Sequence, residues 1–179
     1  MRVISGSLRG LKLKSPEGLD TRPTLDRVKE ALFSMLFDRF SDSYVLDLFA
    51  GSGALGIEAL SRGAAHCTFV DSGREAVDAV KSNIERARLE DRSKIVFEDS
   101  VSFLKKANAP FDIIFLDPPY KAGLYGEVLK TVREKRLLKD GGALVAECES
   151  TMELDTEGYT VLKDKKYGKV RLYVLEVSG

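Results

Sequence analysis

The sequence of 179 residues contains no tryptophan, one histidine and two cysteines. The lone His66 argues against histidine-based acid–base or metal chemistry, and we expect it to be structural, at the start of a strand. Cys67 and Cys148 lack metal-ligand spacing, so we expect two reduced, buried thiols and no metal site. No apolar run approaches the ~20 residues that cross a bilayer, and the N-terminus has no signal-peptide core. These absences favour a cytoplasmic protein with no membrane partner.

The composition is that of an ordinary globular chain, with 44% hydrophobic and 31% charged residues. The length predicts a single domain, 1–179. Formal net charge is zero, but residues 1–29 carry seven basic and three acidic side chains, and residues 163–171 carry five basic and one acidic. Two basic ends predict an anionic partner, with two solvated hairpins as the alternative.

From Tyr44 onward, apolar runs alternate with amphipathic segments, which predicts a parallel α/β sheet. Before Tyr44 we expect a small β-hairpin from segments 2–5 and 11–14 and a helix that begins near Pro23. The predicted strands are 44–49, 66–71, 94–98, 111–116 and 142–148, followed by an antiparallel pair at 159–164 and 169–177. The predicted helices between them are 54–62, 74–88, 101–106 and 124–135.

A glycine-rich turn follows the first long strand. Gly51, Gly53 and Gly56 satisfy G-x-G-x-x-G, and Asp71 lies twenty residues after Gly51. This spacing is typical of a nucleoside-binding turn at a helix N-terminus, with the acid on ribose hydroxyls. Asp47 near the strand end disfavours a pyrophosphate and favours a cationic or amine-bearing ligand group. A purely structural turn and a nicotinamide cofactor remain the alternatives.

Asp117-Pro118-Pro119-Tyr120 directly follows the predicted strand 111–116. The carboxyl ends of parallel strands face one crevice, so we expect this turn to face the glycine turn. The Asp117 carboxylate and the Pro118 carbonyl offer two hydrogen-bond acceptors to one primary amine. Tyr120 offers a ring on which a base or a planar amide stacks. A proline loop that merely ends a strand is the alternative.

These blocks resemble, in order and spacing, the class I S-adenosylmethionine-dependent amino-methyltransferases. The N-terminal blocks Arg9-Gly10, Arg22-Pro23-Thr24 and 26–33, together with 53–63, are similar to the RsmD family, which methylates a guanine N2 in bacterial 16S ribosomal RNA. The likeness covers residues 2 to 120. The tetrad Asp117-Pro118-Pro119-Tyr120 alone is shared with DNA and protein-glutamine methyltransferases. The N-terminal blocks are therefore the more specific part of the resemblance.

The resemblance implies a Rossmann-like fold: a mostly parallel seven-stranded sheet with an antiparallel C-terminal hairpin and helices on both faces. Residues 1–40 would be an RNA-contacting extension and 44–179 the catalytic core, in a monomer that binds S-adenosylmethionine. The implied catalytic residues are Asp117, Pro118, Pro119 and Tyr120. The implied cofactor-binding residues are Asp47, Phe49, Gly51, Ser52, Gly53, Asp71, Asp99 and Ser100. The implied contacts to ribosomal RNA or a partly assembled small subunit are Arg2, Arg9, Lys12, Arg22, Arg27, Lys121, Lys165 and Lys166.

Three alternatives stay open at this point. An amino-methyltransferase acting on DNA or on a protein glutamine amide would use the same two acceptors and ring. A nicotinamide-dependent oxidoreductase would share the glycine turn, but the sequence offers no clear proton-handling residue beside the nicotinamide. A non-catalytic RNA-binding module would have no need of Asp117.

Overall fold

The structure is a computed structural model that describes residues 1–15, 23–119 and 123–178. Among these residues, seven strands form one sheet in the order β3-β2-β1-β4-β5-β7-β6. β1 to β5 are parallel, and β7 is antiparallel to both β5 and β6. This confirms the predicted fold class. The strands are β1 (Tyr44–Asp47), β2 (His66–Asp71), β3 (Ser93–Phe97), β4 (Phe111–Leu116), β5 (Leu138–Glu149), β6 (Tyr159–Tyr167) and β7 (Val170–Val177).

Helices cover both faces of the sheet. They are α1 (Pro23–Met35), α2 (Ala54–Ser61), α3 (Arg74–Ala87), α4 (Ser100–Lys106) and α5 (Tyr125–Glu134). Residues of α1, α2 and α3 share one buried cluster with Ile113 and Phe115 of β4, whereas α4 and α5 share the other with Ile114 and Leu116. Because side chains alternate along a strand and both faces are covered, residues 113–116 of β4 are all apolar. Within the described residues, no helix is long and apolar enough to span a membrane.

The strand order places a crevice between β1 and β4. From β1 the chain moves outward through β2 to β3, and from β4 it moves outward the other way to β5. The loops after β1 and β4 therefore part from each other at the carboxyl edge of the sheet. This is the position at which open α/β sheets bind ligands.

Most predicted boundaries agree with the structure, and β5 is the main exception. β2 and β4 span the predicted residues, His66 begins β2, and Cys67 and Cys148 are buried free thiols. β5 begins at Leu138, not at the predicted residue 142. Its pairing with β4 is irregular between Phe111 and Ile113, and Gly141 has a φ of 73°. A bulge of this kind lets the strand continue through a glycine pair, where the sequence indicated a break.

The predicted N-terminal β-hairpin forms as a short, irregular pairing. The Val3 amide donates to the Leu11 carbonyl at 2.9 Å, and the Leu13 amide donates to the Met1 carbonyl at 3.0 Å. The two segments of the hairpin pair through one isolated antiparallel bridge, Arg2 to Lys12, and not as regular strands. Much of its hydrogen bonding goes to α2, since the Ile4 and Ser5 amides donate to the Glu58 carboxylate at 2.8 and 3.0 Å. A segment that uses its amides in this way has fewer left for a partner strand.

Candidate active site

The turn after β1 depends on glycine. Gly51 and Gly53 have φ of 56° and 77°, a region of backbone conformation that favours glycine. The Ala50 amide donates to the Val70 carbonyl at 3.0 Å, and the Gly53 amide donates to the Ala50 carbonyl at 2.6 Å. α2 starts directly after Gly53. The turn is therefore fixed to β2 on one side and continues into a helix N-terminus on the other.

Asp71, at the end of β2, holds the same turn. Its Oδ2 accepts a hydrogen bond from the Gly51 amide at 2.9 Å, and its Oδ1 accepts one from the Gly73 amide at 2.8 Å. An ionised carboxylate has about four acceptor positions, so it can still accept hydroxyl hydrogens from a ligand. The side chain is half-buried at the mouth of the crevice. Asp71 thus positions the turn and also faces the space in front of it.

Asp47, at the end of β1, lies beneath the turn and is 2% exposed. Its Oδ2 accepts a hydrogen bond from the Gly56 amide at 2.9 Å. Burial raises the pKa of Asp47 to about 7; the Gly56 hydrogen bond opposes this rise, and the Asp71 carboxylate adds to it. A cation placed nearby would favour the ionised form. Asp47 is therefore suited to bind a positively charged group.

Gly56 is required for that contact. A Cβ at this position would lie 2.3 Å from Phe69 Cε1 and 2.6 Å from Cys67 Sγ. Only glycine lets α2 pack this closely on β2 and bring its amide to Asp47. The third glycine of the motif is therefore a packing position.

Asp117 follows β4 and is half-buried, while Pro118 is buried and Pro119 is exposed. Burial raises the pKa of Asp117 well above its usual range, and the carboxylates of Glu147 and Asp47 add to the increase. Tyr120, the fourth residue of the tetrad, lies outside the described residues. Three acidic side chains therefore converge at the carboxyl edge of β1, β4 and β5.

Two clefts meet at Asp117. We call the larger, of about 730 Å³, the Asp71 cleft, and the smaller, of about 210 Å³, the Glu147 cleft. The Asp71 cleft includes Asp71, Gly73, Asp99, Ser100 and Pro118; the Glu147 cleft includes Asp47, Glu147, Met1, Asp26 and Lys29. Phe49, Gly51 and Asp117 line both. A ligand in one cleft would therefore adjoin a ligand in the other at Asp117.

The remaining predicted cofactor residues lie at the clefts but use their side chains locally. Ser100 Oγ donates to the Leu48 carbonyl at 2.8 Å, which fixes α4 to the loop after β1. Asp99 is exposed and caps α4 by accepting from the Ser102 amide at 2.9 Å. Ser52 is buried, with its hydroxyl 3.8 Å from Met1 Sδ. Ser100 and Ser52 therefore have structural partners already.

The predicted RNA-contacting side chains that the structure describes are all exposed: Arg2, Arg9, Lys12, Arg27, Lys165 and Lys166. Arg22 and Lys121 lie outside the described residues. β7 is antiparallel to both β5 and β6, so β5 and β6 run in the same direction and end at the same edge of the sheet. Lys165 and Lys166 are therefore on the same edge as Asp117.

Sequence reasoning missed two residues that line the Glu147 cleft. Glu147 interrupts the apolar run of β5, and this isolated charge in a buried strand was the available signal. Lys29 is 6% exposed, and its Nζ contacts Glu58 Oε2 at 3.0 Å and the Arg2 carbonyl at 2.9 Å. Within the described residues, no cluster of histidine, cysteine and acidic side chains has the arrangement of a metal site.

Comparisons with known proteins agree with this geometry. A family model described as Conserved hypothetical protein 95 matches residues 1–176. YlbH of Bacillus subtilis strain 168 is 42% identical over 184 residues, with all of both chains covered. Ribosomal RNA small subunit methyltransferase D of Escherichia coli K12 is 36% identical and covers 100% of this chain and 92% of its own.

The solved structure of YhhF from Escherichia coli superposes with a TM-score of 0.89 at 33% identity. The match covers 100% of this chain and 98% of that one. Full-length similarity in sequence and in structure agrees with the motif order read from the sequence. The chain therefore belongs to the RsmD family of class I S-adenosylmethionine-dependent methyltransferases.

Proposed function

We propose that this protein transfers a methyl group to the exocyclic N2 amine of a guanine in small-subunit ribosomal RNA. The observation that carries the proposal is the position of Asp117 where the Asp71 and Glu147 clefts meet. Methyl transfer needs a methyl donor and an acceptor amine held in contact, and positioning of this kind can supply roughly 7–11 kcal/mol of the barrier. The full-length relative named ribosomal RNA small subunit methyltransferase D supports the class of substrate.

The Asp71 cleft fits S-adenosylmethionine, which when bound supplies a methyl group on a positively charged sulfur. Asp71 can accept hydrogen bonds from ribose hydroxyls while it also accepts the hydrogen bond from the Gly51 amide. The glycine turn allows close backbone approach to the methionine part. Asp47, which lines the adjoining Glu147 cleft, can balance positive charge where the two clefts meet. Asp99 and Ser100 would bound the adenine at the far side of the cleft. The nicotinamide alternative gains no support, because a buried Asp47 would repel a pyrophosphate.

The acceptor amine would lie beside Asp117, where the two clefts meet. Asp117 and the Pro118 carbonyl each accept one N–H, which draws the nitrogen toward tetrahedral geometry and reduces the conjugation of its lone pair with the ring. The amine must lose a proton when the nitrogen forms its new bond to carbon. Asp117 can receive that proton, because its raised pKa makes the ionised carboxylate a better base. Tyr120 would stack on the extruded base, at a cost of a few kcal/mol for unstacking.

The exposed basic residues would hold the RNA. Lys165 and Lys166 lie at the edge of the sheet that carries the clefts. Arg2, Arg9, Lys12 and Arg27 lie in the N-terminal part, from which Met1, Asp26 and Lys29 line the Glu147 cleft. Arg22 and Lys121 belong to the same proposal. Contacts to phosphates release counterions, so binding should weaken steeply with salt.

Labelled methyl transfer tests the proposal with unmodified ribosomal RNA and with partly assembled small subunits as substrates. We expect N2-methylguanine as the product nucleoside. N6-methyladenine or a labelled peptide would instead support the DNA-type or glutamine-type alternative.

Replacement of Asp117 tests the assigned residue. Asp117→Ala should lower the rate by at least about 100-fold, as expected when a positioned proton acceptor is lost, while cofactor affinity changes little. Asp140→Ala removes an exposed carboxylate near the start of β5 and serves as the matched control. An Asp117→Ala protein with near-normal activity would refute the role of Asp117.

A further inference from the structure

The pairing of β4 with β5 places Glu147 beside Asp117. Leu116 of β4 pairs with Ala146 of β5 in parallel register, so the next residue along each chain is Asp117 and Glu147. Glu147 lies on the same side of β5 as Val145, which packs in the cluster shared with α1 and α2. Its side chain is half-buried in the Glu147 cleft. Two carboxyl groups on adjacent strands therefore line one small cleft.

Two adjacent acceptors match the hydrogen-bonding edge of guanine. Guanine presents two neighbouring donors, the N1–H and the N2 amine, whereas adenine has an unprotonated N1 that can only accept. An ionised carboxylate accepts hydrogen bonds and donates none. If Asp117 takes an N2 hydrogen, an acceptor one strand away is placed to take the N1 hydrogen. An adenine in the same position would set its N1 lone pair against a carboxylate.

We propose that Glu147 is a specificity-determining residue that accepts the N1–H of the target guanine and thereby excludes adenine. This inference rests on the proposed function of the same site. The electrostatic effect of Glu147 on Asp117 agrees with their proximity, since it helps raise the pKa of Asp117. Asp117 and Glu147 both line the Glu147 cleft, which is about 210 Å³ in volume.

Base analogues at the mapped target nucleotide test this inference, with the full-length protein as the enzyme. 2-Aminopurine keeps the acceptor amine but lacks both N1–H and O6, and 6-thioguanine keeps N1–H but replaces O6 by sulfur. We expect the unaltered protein to methylate 2-aminopurine about 10- to 100-fold more slowly than guanine, the effect of losing one charged hydrogen bond. 6-Thioguanine should stay within about threefold of guanine, since its N1–H is intact.

Variants at position 147 assign the effect to this side chain. In Glu147→Gln the amide can donate to the bare N1 of 2-aminopurine, so the guanine preference should fall to about threefold or less. Glu147→Ala should reduce the same preference by removing the acceptor altogether. Glu149→Gln, an exposed acid two residues further along β5, should leave the preference unchanged.

The outcomes separate this inference from the proposed function. If the unaltered protein forms no N2-methylguanine, the proposed function fails. If it forms that product but methylates 2-aminopurine as fast as guanine, the role of Glu147 is refuted. It is equally refuted if both Glu147 variants keep the original preference while their rates fall, because that is the result of a purely structural role.

Discussion

Removal of the Glu58 carboxylate should release the N-terminal segment from the rest of the protein. Glu58 is fully buried and binds Lys29 Nζ at 3.0 Å and Arg62 Nε at 2.9 Å. It also accepts hydrogen bonds from the Ile4 and Ser5 amides. Burial lowers the pKa of Lys29, and the Glu58 carboxylate opposes that decrease. Glu58 therefore compensates a buried ammonium group and two backbone donors at once.

The expected cost follows from what each partner loses. Loss of one member of a buried ion pair typically costs about 3–5 kcal/mol, because the other charge stays buried. Gln keeps one acceptor oxygen, so one of the two amides loses its partner, which adds about 1–3 kcal/mol where water cannot replace it. Arg62 loses less, since it is 15% exposed and also lies 4.8 Å from the Phe33 ring centroid. Partial relaxation makes these losses less than additive, so we expect about 4–6 kcal/mol for Glu58→Gln.

Denaturant unfolding and hydrogen exchange measure this effect. Glu58→Gln should lower the free energy of unfolding by that amount and should speed exchange of the Ile4 and Ser5 amides. Glu85→Gln on the exposed side of α3 is the control and should change little. Adding Lys29→Met should restore about 2–3 kcal/mol, because it removes the uncompensated charge. A loss below about 1 kcal/mol, or no recovery with Lys29→Met, would refute this reasoning.

Two further predictions concern the clefts and the basic edge. Because burial raises the pKa of Asp47 from 3.8 to about 7, its contribution to stability should be present below about pH 4 and lost as the pH rises to about 7, a loss of up to roughly 4 kcal/mol. In Asp47→Asn the free energy of unfolding should not show this decrease with pH. Chemical unfolding from pH 4 to 8 measures it, and an equal decrease in the variant and the unaltered protein would contradict the assignment. Lys165→Ala and Lys166→Ala should each lower the slope of log affinity against log salt by about 1 in RNA binding, whereas Lys81→Ala on α3 should not. Unchanged slopes would exclude phosphate contacts at these lysines.

The fold was predictable because its signals are local. Continuous apolar runs such as residues 113–116 identify strands that are covered on both faces. Glycine spacing and the Asp117 turn place ligand-binding loops at strand ends without knowledge of the contacts. The beginning of β5 was not predictable, since the Gly141 bulge has meaning only against the register with β4.

The residues missed by sequence reasoning depend on contacts between distant segments. Glu147 becomes a candidate only when strand register sets it beside Asp117. Glu58 stands in an apolar helix, and two of its partners, the Ile4 and Ser5 amides, lie about fifty positions earlier in the chain. The contact of Ser100 with the adenine stays a prediction, and the structure adds that its hydroxyl donates to the Leu48 carbonyl. That hydrogen bond joins residues 52 positions apart, beyond the reach of any local pattern.

The attachment of the N-terminal segment has a consequence for the exchange of parts between homologues. Ser61 binds residues 5 and 8 of that segment, and Asn83 of α3 binds both Lys14 and the Ser52 carbonyl in the glycine turn. The N-terminal segment, which lines the Glu147 cleft, is thus hydrogen-bonded to α2 and α3, the helices that support the Asp71 cleft. A chimera that transplants residues 1–40 from a relative should work only if the matching surfaces of α2 and α3 are transplanted with them. The segment that contacts the substrate and the helices that support the cofactor site would therefore have to be exchanged together.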